Sequence, residues 1–147
     1  MFVKTLTMKN WLFIGAVVWF FTSCKKSTDD NTITKERLTG SYKLNSITMK
    51  AGSSAEQNVT DNYLTACEKD DITKLNSDNT YEYMDAGITC NPPGNATGIW
   101  DLPSQTTFKQ DNEVFDLDRF DGQILQISQT QVQFGQTVKT TITMQKL

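Results

Sequence analysis

Histidine is absent from the 147 residues. That removes the commonest general base, the Ser-His-Asp and Cys-His catalytic arrangements, and the usual zinc ligand set. Basic residues are outnumbered by acidic ones, 14 to 17. A nucleic-acid partner needs a basic face to meet phosphates, so this balance argues against one. Proline is scarce, with three residues, and cysteine equally so, with three. No apolar run reaches the roughly 20 residues that a membrane-spanning helix needs. Aliphatic residues are modest in number, whereas Thr, Gln, Asn and Asp are abundant. That mixture, at a length typical of one domain, suits a small β-rich extracytoplasmic fold better than a helical bundle.

The longest apolar run is residues 11–21, eleven residues from Trp11 to Phe21. It follows a ten-residue stretch carrying Lys4 and Lys9 and no acid. Its length is that of a signal-peptide core. Thr22, Ser23 and Cys24 come next, and Phe21-Thr22-Ser23-Cys24 resembles the cleavage motif of bacterial lipoproteins, with Phe where Leu is commoner. The resemblance implies a signal peptide over 1–23, cleavage before Cys24, and acylation of that cysteine with diacylglycerol and an N-acyl chain. More than one chain is what stable anchoring on a bilayer takes. Lys25 stands where an inner-membrane retention signal would have Asp, which points to the outer membrane, on its periplasmic side or at the cell surface. Removing Lys4 and Lys9 takes the net charge from −3 to −5. Residues 24–37 begin Cys-Lys-Lys-Ser-Thr-Asp-Asp and read as a polar, flexible tether.

Two cysteines remain, Cys67 and Cys90. An even remainder in an exported chain reads as one disulfide. The other reading, a metal site, is poor with two isolated cysteines, no histidine and no C-x-x-C spacing.

From Leu38 onward the chain reads as short strands separated by turns. In the first, Tyr42, Leu44, Ser46, Thr48 and Lys50 alternate with Lys43, Asn45, Ile47 and Met49. Residues 52–65 are a polar loop with room for one helical turn. Residues 67–75 form the next strand, and Asn76-Ser77-Asp78-Asn79 turns it into the strand 80–84. A loop over 85–95 contains Pro92-Pro93-Gly94. Further strands are expected at 97–102, 106–109, 113–117 and 123–128. A turn near Gln129 and Thr130 would precede Gln131-Val132-Gln133-Phe134 and a closing strand over 138–144. No stretch sustains a helical period over three turns. About eight strands with hairpin-length links favour an all-β, up-and-down antiparallel barrel, which removes exposed edges; a β-sandwich is the alternative.

The order of Leu38-Thr39-Gly40-Ser41-Tyr42, Cys67-Glu68-Lys69-Asp70-Asp71, Asn76-Ser77-Asp78-Asn79-Thr80-Tyr81, Cys90 and Thr97-Gly98-Ile99-Trp100 resembles the lipocalin-like lipoproteins of Bacteroidetes over residues 38–147. Tyr42 replaces the tryptophan of that family's Gly-x-Trp motif, and Asp78-Asn79 its Asp-Gly turn. The resemblance implies a small calyx-like barrel and pairing of Cys67 with Cys90. It does not imply a ligand, because fold alone does not give function.

Tyr42, Tyr81, Tyr83, Trp100 and Phe134 are the candidate barrel-lining residues; filling a small barrel is their blander role. Asp101 belongs outside, so alternation puts Ile99 outside with it and turns Gly98, Trp100 and Leu102 inward, leaving space beside the indole for a ring or a ligand. Asp116, Asp118, Asp121 and Gly122 superficially suggest a calcium loop, but the third acid falls one residue late and the twelfth position is Ile127. Glu68, Asp70 and Asp71, with Lys69 and Lys74 nearby, read as solvated charges at a barrel rim. No metal and no cofactor is expected, and no catalytic pair stands out. The expectation is a non-enzymatic protein holding a small apolar or amphipathic ligand in the barrel mouth. The rival is a packed barrel recognising a protein or glycan through loops 52–65 and 85–95.

Overall fold

The computed structural model describes residues 32–147. Cys24 and the expected signal peptide over 1–23 lie outside the described residues. The elements run in the order α1 (Lys35–Leu38), β1 (Gly40–Ala51), β2 (Gln57–Asn58), α2 (Thr60–Tyr63), β3 (Ile72–Leu75), β4 (Thr80–Met84), β5 (Ala96–Ser104), β6 (Thr107–Gln110), β7 (Glu113–Phe120), β8 (Ile124–Gln133) and β9 (Gln136–Lys146).

Each strand from β3 to β9 pairs antiparallel with the next, and β1 pairs with both β3 and β9. The pairing of first and last strands closes an eight-stranded up-and-down barrel, which decides between barrel and sandwich. The two residues of β2 only add to the upper part of β1, at Thr48 and Met49. Loop 52–65 does contain one helical turn, α2.

One end of the barrel is sealed. Leu38, at the end of α1, is fully buried, and the Tyr42 hydroxyl donates to its carbonyl at 2.6 Å. Trp100 stacks on Phe108 with ring centroids 6.0 Å apart, and its indole N–H donates to the Asn76 carbonyl at 2.9 Å. Phe120, Leu125 and Leu117 complete this plug. Arg37 and Lys146 cover the Phe120 ring at 5.7 and 5.8 Å. Folded structure therefore starts earlier than Leu38. The end of the expected tether belongs to the domain: Ile33 packs on the core, and Thr34 caps α1 by accepting from the Arg37 amide.

The register expected around Trp100 holds. Trp100 is buried, Ile99 is 62% exposed, and Leu102 packs on the core. The space beside Gly98 is filled by the protein itself. A Cβ there would run into the Tyr81 ring and the Asp111 carboxylate, so glycine lets the two strands close on each other. Asn79 takes φ 70° in the 76–79 turn, as its amide side chain permits.

Four expectations are corrected. First, β1 carries a bulge between Leu44 and Ser46. One extra residue reverses the alternation beyond it, so Ile47 faces the same interior as Tyr42 and Leu44. Second, no turn occurs at Gln129 and Thr130. Strand β8 runs on to Gln133, and the hairpin turns on Phe134 and Gly135, with φ of 51° and 78°. Two positive φ values in a two-residue loop match the twist of the flanking strands, and a phenylalanine is an unusual first residue for it. Third, β3 starts at Ile72, and residues 67–70 are turns. Fourth, the strand expected over 113–117 runs on to Phe120, so Asp118 joins Asp116 within β7, while Asp121 caps the next turn by accepting from the amides of Gln123 and Ile124.

Removing the indole would open a hole beside Phe108 within the buried cluster. We expect Trp100→Ala to lower unfolding free energy by about 3–5 kcal/mol in urea titrations followed by circular dichroism. A loss below about 1 kcal/mol would contradict the buried placement.

Candidate functional site

The barrel's other end is not packed shut. A cavity of about 230 Å³ occupies its upper half. Tyr42, Leu75 and Phe108, all buried, form its floor. Leu44, Ile47, Ile127, Ile142 and Met144 make an aliphatic wall from β1, β8 and β9. The cross-barrel registers Leu44↔Met144, Ile47↔Ile142 and Ile127↔Ile142 set these side chains side by side. The opposite wall is Thr73, Gln110 and Phe115, with the Phe115 ring 6.3 Å from that of Phe108. Leu64, Glu68, Asp71 and Tyr83 stand at the mouth.

The mouth is built on carboxylates. Asp71 is 4% exposed. Its two oxygens accept from the Tyr83 hydroxyl at 2.6 Å and the Ala86 amide at 3.0 Å. Asp70 accepts from the Ile88 amide at 2.8 Å, and Asp85 from the amides of Cys90 and Gly94. Glu68 accepts from the Thr65 amide and hydroxyl, which lowers its pKa below the usual glutamate range. Burial pushes the Tyr83 phenol well up, and the Asp71 hydrogen bond and the charges of Asp71, Glu68 and Asp85 push it further. Loop 85–95 is thus folded around three aspartates that accept its backbone N–H groups. A disulfide from Cys67 to Cys90, with Cα atoms 5.4 Å apart, ties that loop to the segment before β3.

The rim acids are therefore not all solvated, as their sequence context suggests. Asp71 is a buried organiser of the mouth. Lys69 pairs with Asp61 and Lys74 with Glu82, away from these carboxylates. Asp71, Asp85 and Cys90 come close enough to surround a cation. However, the Cys90 sulfur is consumed in the disulfide, which leaves two carboxylates and no third ligand among the described residues. That donor set does not make a metal centre.

Of the five candidate lining residues, Tyr42 and Tyr83 line the cavity. Tyr81 and Trp100 point inward but belong to the sealed half, where the Tyr81 hydroxyl donates to Asp111 at 2.7 Å. Phe134 lines nothing: its side chain is fully exposed at the β8–β9 hairpin tip, because it is the first residue of that turn. Among the lining residues missing from the candidate set are Ile47, Ile127, Ile142, Met144 and Asp71. The alternation of β9 already put Ile142 and Met144 on one face. The bulge hid Ile47, and no local pattern marks Asp71.

A closed up-and-down barrel with one sealed end and one open, mainly apolar cavity defines a calyx, the architecture of a lipocalin-like barrel. No protein-family model matches this chain, and no curated protein or solved structure is significantly similar to it.

Closing a 23-residue loop by the disulfide stabilises the fold by about 3 kcal/mol on the chain-entropy account. Reduction of the folded protein should lower its thermal midpoint, and Cys67→Ala/Cys90→Ala should reproduce the shift. An unchanged midpoint would show that the carboxylate contacts alone hold the mouth.

Proposed function

We propose that this protein is a lipid-anchored lipoprotein of the lipocalin-like Bacteroidetes type, whose barrel binds a small apolar or amphipathic ligand without catalysing a reaction. The observation that carries the reading is the cavity. An open, mostly aliphatic pocket with a few convergent polar groups is the usual form of a small-molecule site. Its volume is about 230 Å³, a modest size for such a site. The ligand is accordingly small, or enters with only one end.

Anchoring rests on the Cys24 motif. Among the described residues no helix is long and apolar enough to cross a membrane. The chain enters the barrel through α1 at the sealed end. Acyl chains on Cys24 would tether that end and leave the mouth turned away from the bilayer. This arrangement suits an outer-membrane protein that meets its ligand in the periplasm or at the cell surface. The packed lower half would then serve as a rigid base, and the disulfide-tied loops as the rim of the site.

Two measurements test this. Cys24→Ser should abolish labelling by radioactive palmitate and release the protein from membranes. Retention without label would mean that residues 11–21 act as an uncleaved anchor. For the cavity, native mass spectrometry of the purified protein should show a co-purified small molecule, and Ile142→Trp, which fills the wall, should remove it without loss of folding. Identical spectra for both proteins, with no adduct in either, would sink the ligand-binding reading.

A further inference from the structure

The cavity's charged wall groups are all of one sign. Glu68 and Asp71 face it, and no lysine or arginine lines it. Asp70 and Asp85 stand behind the same loop. None of these four carboxylates pairs with a lysine or arginine among the described residues, because every ion pair there lies elsewhere. Lys69, the nearest base in sequence, is held by Asp61. Asp71 is buried and receives only neutral donors, the Tyr83 hydroxyl and the Ala86 amide. The other polar lining groups, Thr73 and Gln110, are uncharged.

We infer that the cavity takes a ligand with a cationic amine head on a short apolar body, a deepening that rests on the ligand-binding reading above. The apolar body would lie on the aliphatic wall and the Phe108 and Phe115 rings. The ammonium would stand between Glu68 and Asp71, supplying the counter-charge that the mouth lacks. A buried carboxylate gains most from a partner that brings both charge and N–H donors. An anionic head, such as that of a fatty acid, would meet two carboxylates with no base to offset them. Such repulsion is the kind of discrimination that specificity rests on. The small volume suits a short apolar body, and a longer chain would enter with only one end.

Three probes of one shape test the inference: 2-phenylethylamine, 2-phenylethanol and phenylacetate. They are titrated calorimetrically into the full chain reconstituted in phosphatidylcholine nanodiscs, with empty discs subtracted. The amine should bind about tenfold or more tighter than the alcohol, the worth of one charge-assisted hydrogen bond, and phenylacetate weakest of all. Glu68→Gln, at the exposed side of the mouth, should cut the amine's advantage several-fold and leave the alcohol's affinity unchanged. Asp71→Asn is the second variant, read only as the ratio of amine to alcohol affinity, so that a general weakening of the fold does not mimic the effect. If the alcohol or phenylacetate binds as tightly as the amine, the cationic head is wrong while the ligand-binding cavity stands. If none of the three binds, the ligand-binding reading itself fails, and this inference with it.

Discussion

The structure depends on the seam between its first and last strands. Residues from Tyr42 to Ala51 pair with residues from Lys146 back to Val138, which turns a meander of hairpins into a closed barrel. Without that pairing, β1 and β9 would be two long, exposed edges, and the hydrophobic faces of eight strands would have no common interior. The seam also fixes the sealed end. It brings the Lys146 ammonium to the Arg37 carbonyl, at 2.6 Å, and so holds α1 across the bottom of the barrel. The single bulge in the seam lets Leu44 and Ile47 both face inward. Strict alternation would have placed a serine where the cavity needs an isoleucine.

The two ends of the barrel are stabilised by different physics. At the sealed end, Leu38, Tyr42, Trp100 and Phe108 bury apolar area, and their few polar atoms find backbone partners. Burial on this scale is worth about 1.5–3 kcal/mol per large side chain. The mouth cannot use that means and remain open. It relies on carboxylates that gather backbone N–H groups and on one covalent cross-link between Cys67 and Cys90. These contacts fix the loop and leave the cavity open. The same carboxylates that organise the loop give the mouth its negative character. Structural support and electrostatic bias are therefore one feature.

The barrel class was legible because its signals are local. Strand-forming residues recur at short intervals, turn clusters such as Asn76–Asn79 separate them, and the inward register of Trp100 follows from the need to keep Asp101 outside. What was not legible required long-range information. A bulge at Asn45 leaves no mark in a strand of mixed Thr, Ser and Asn. The hairpin at Phe134 was obscured because its first residue is large and apolar, where Asn or Asp would have announced the turn. Phe134 therefore read as the last inward residue of a strand, when it is the most exposed aromatic of the domain. Asp71 looked like one of three solvated acids. Its burial depends on loop 85–95 folding back over it from 15 residues away, which no local pattern encodes. The cavity, likewise, is a property of which residues meet across strands, and composition does not report that.

The placement of side-chain sizes along the barrel axis explains why there is a cavity at all. Trp100, Phe108, Tyr42 and Tyr81 are concentrated toward the sealed end and the floor, whereas medium-sized aliphatics dominate the upper wall. Rings in place of several of those aliphatics would shrink the void of about 230 Å³. Left empty in an apolar core, such a void forfeits on the order of 5 kcal/mol, at about 24 cal/mol per Å³. That is comparable with the low end of the whole net stability of a small domain, about 5–15 kcal/mol. Water at the mouth recovers only part of it, because the aliphatic wall offers no hydrogen bonds. A domain this small keeps its fold with such a space because the seam, the plug and the disulfide over-determine the frame around it. A ligand that brings apolar surface to the wall and N–H donors to Glu68 and Asp71 would satisfy both deficits of the site at once.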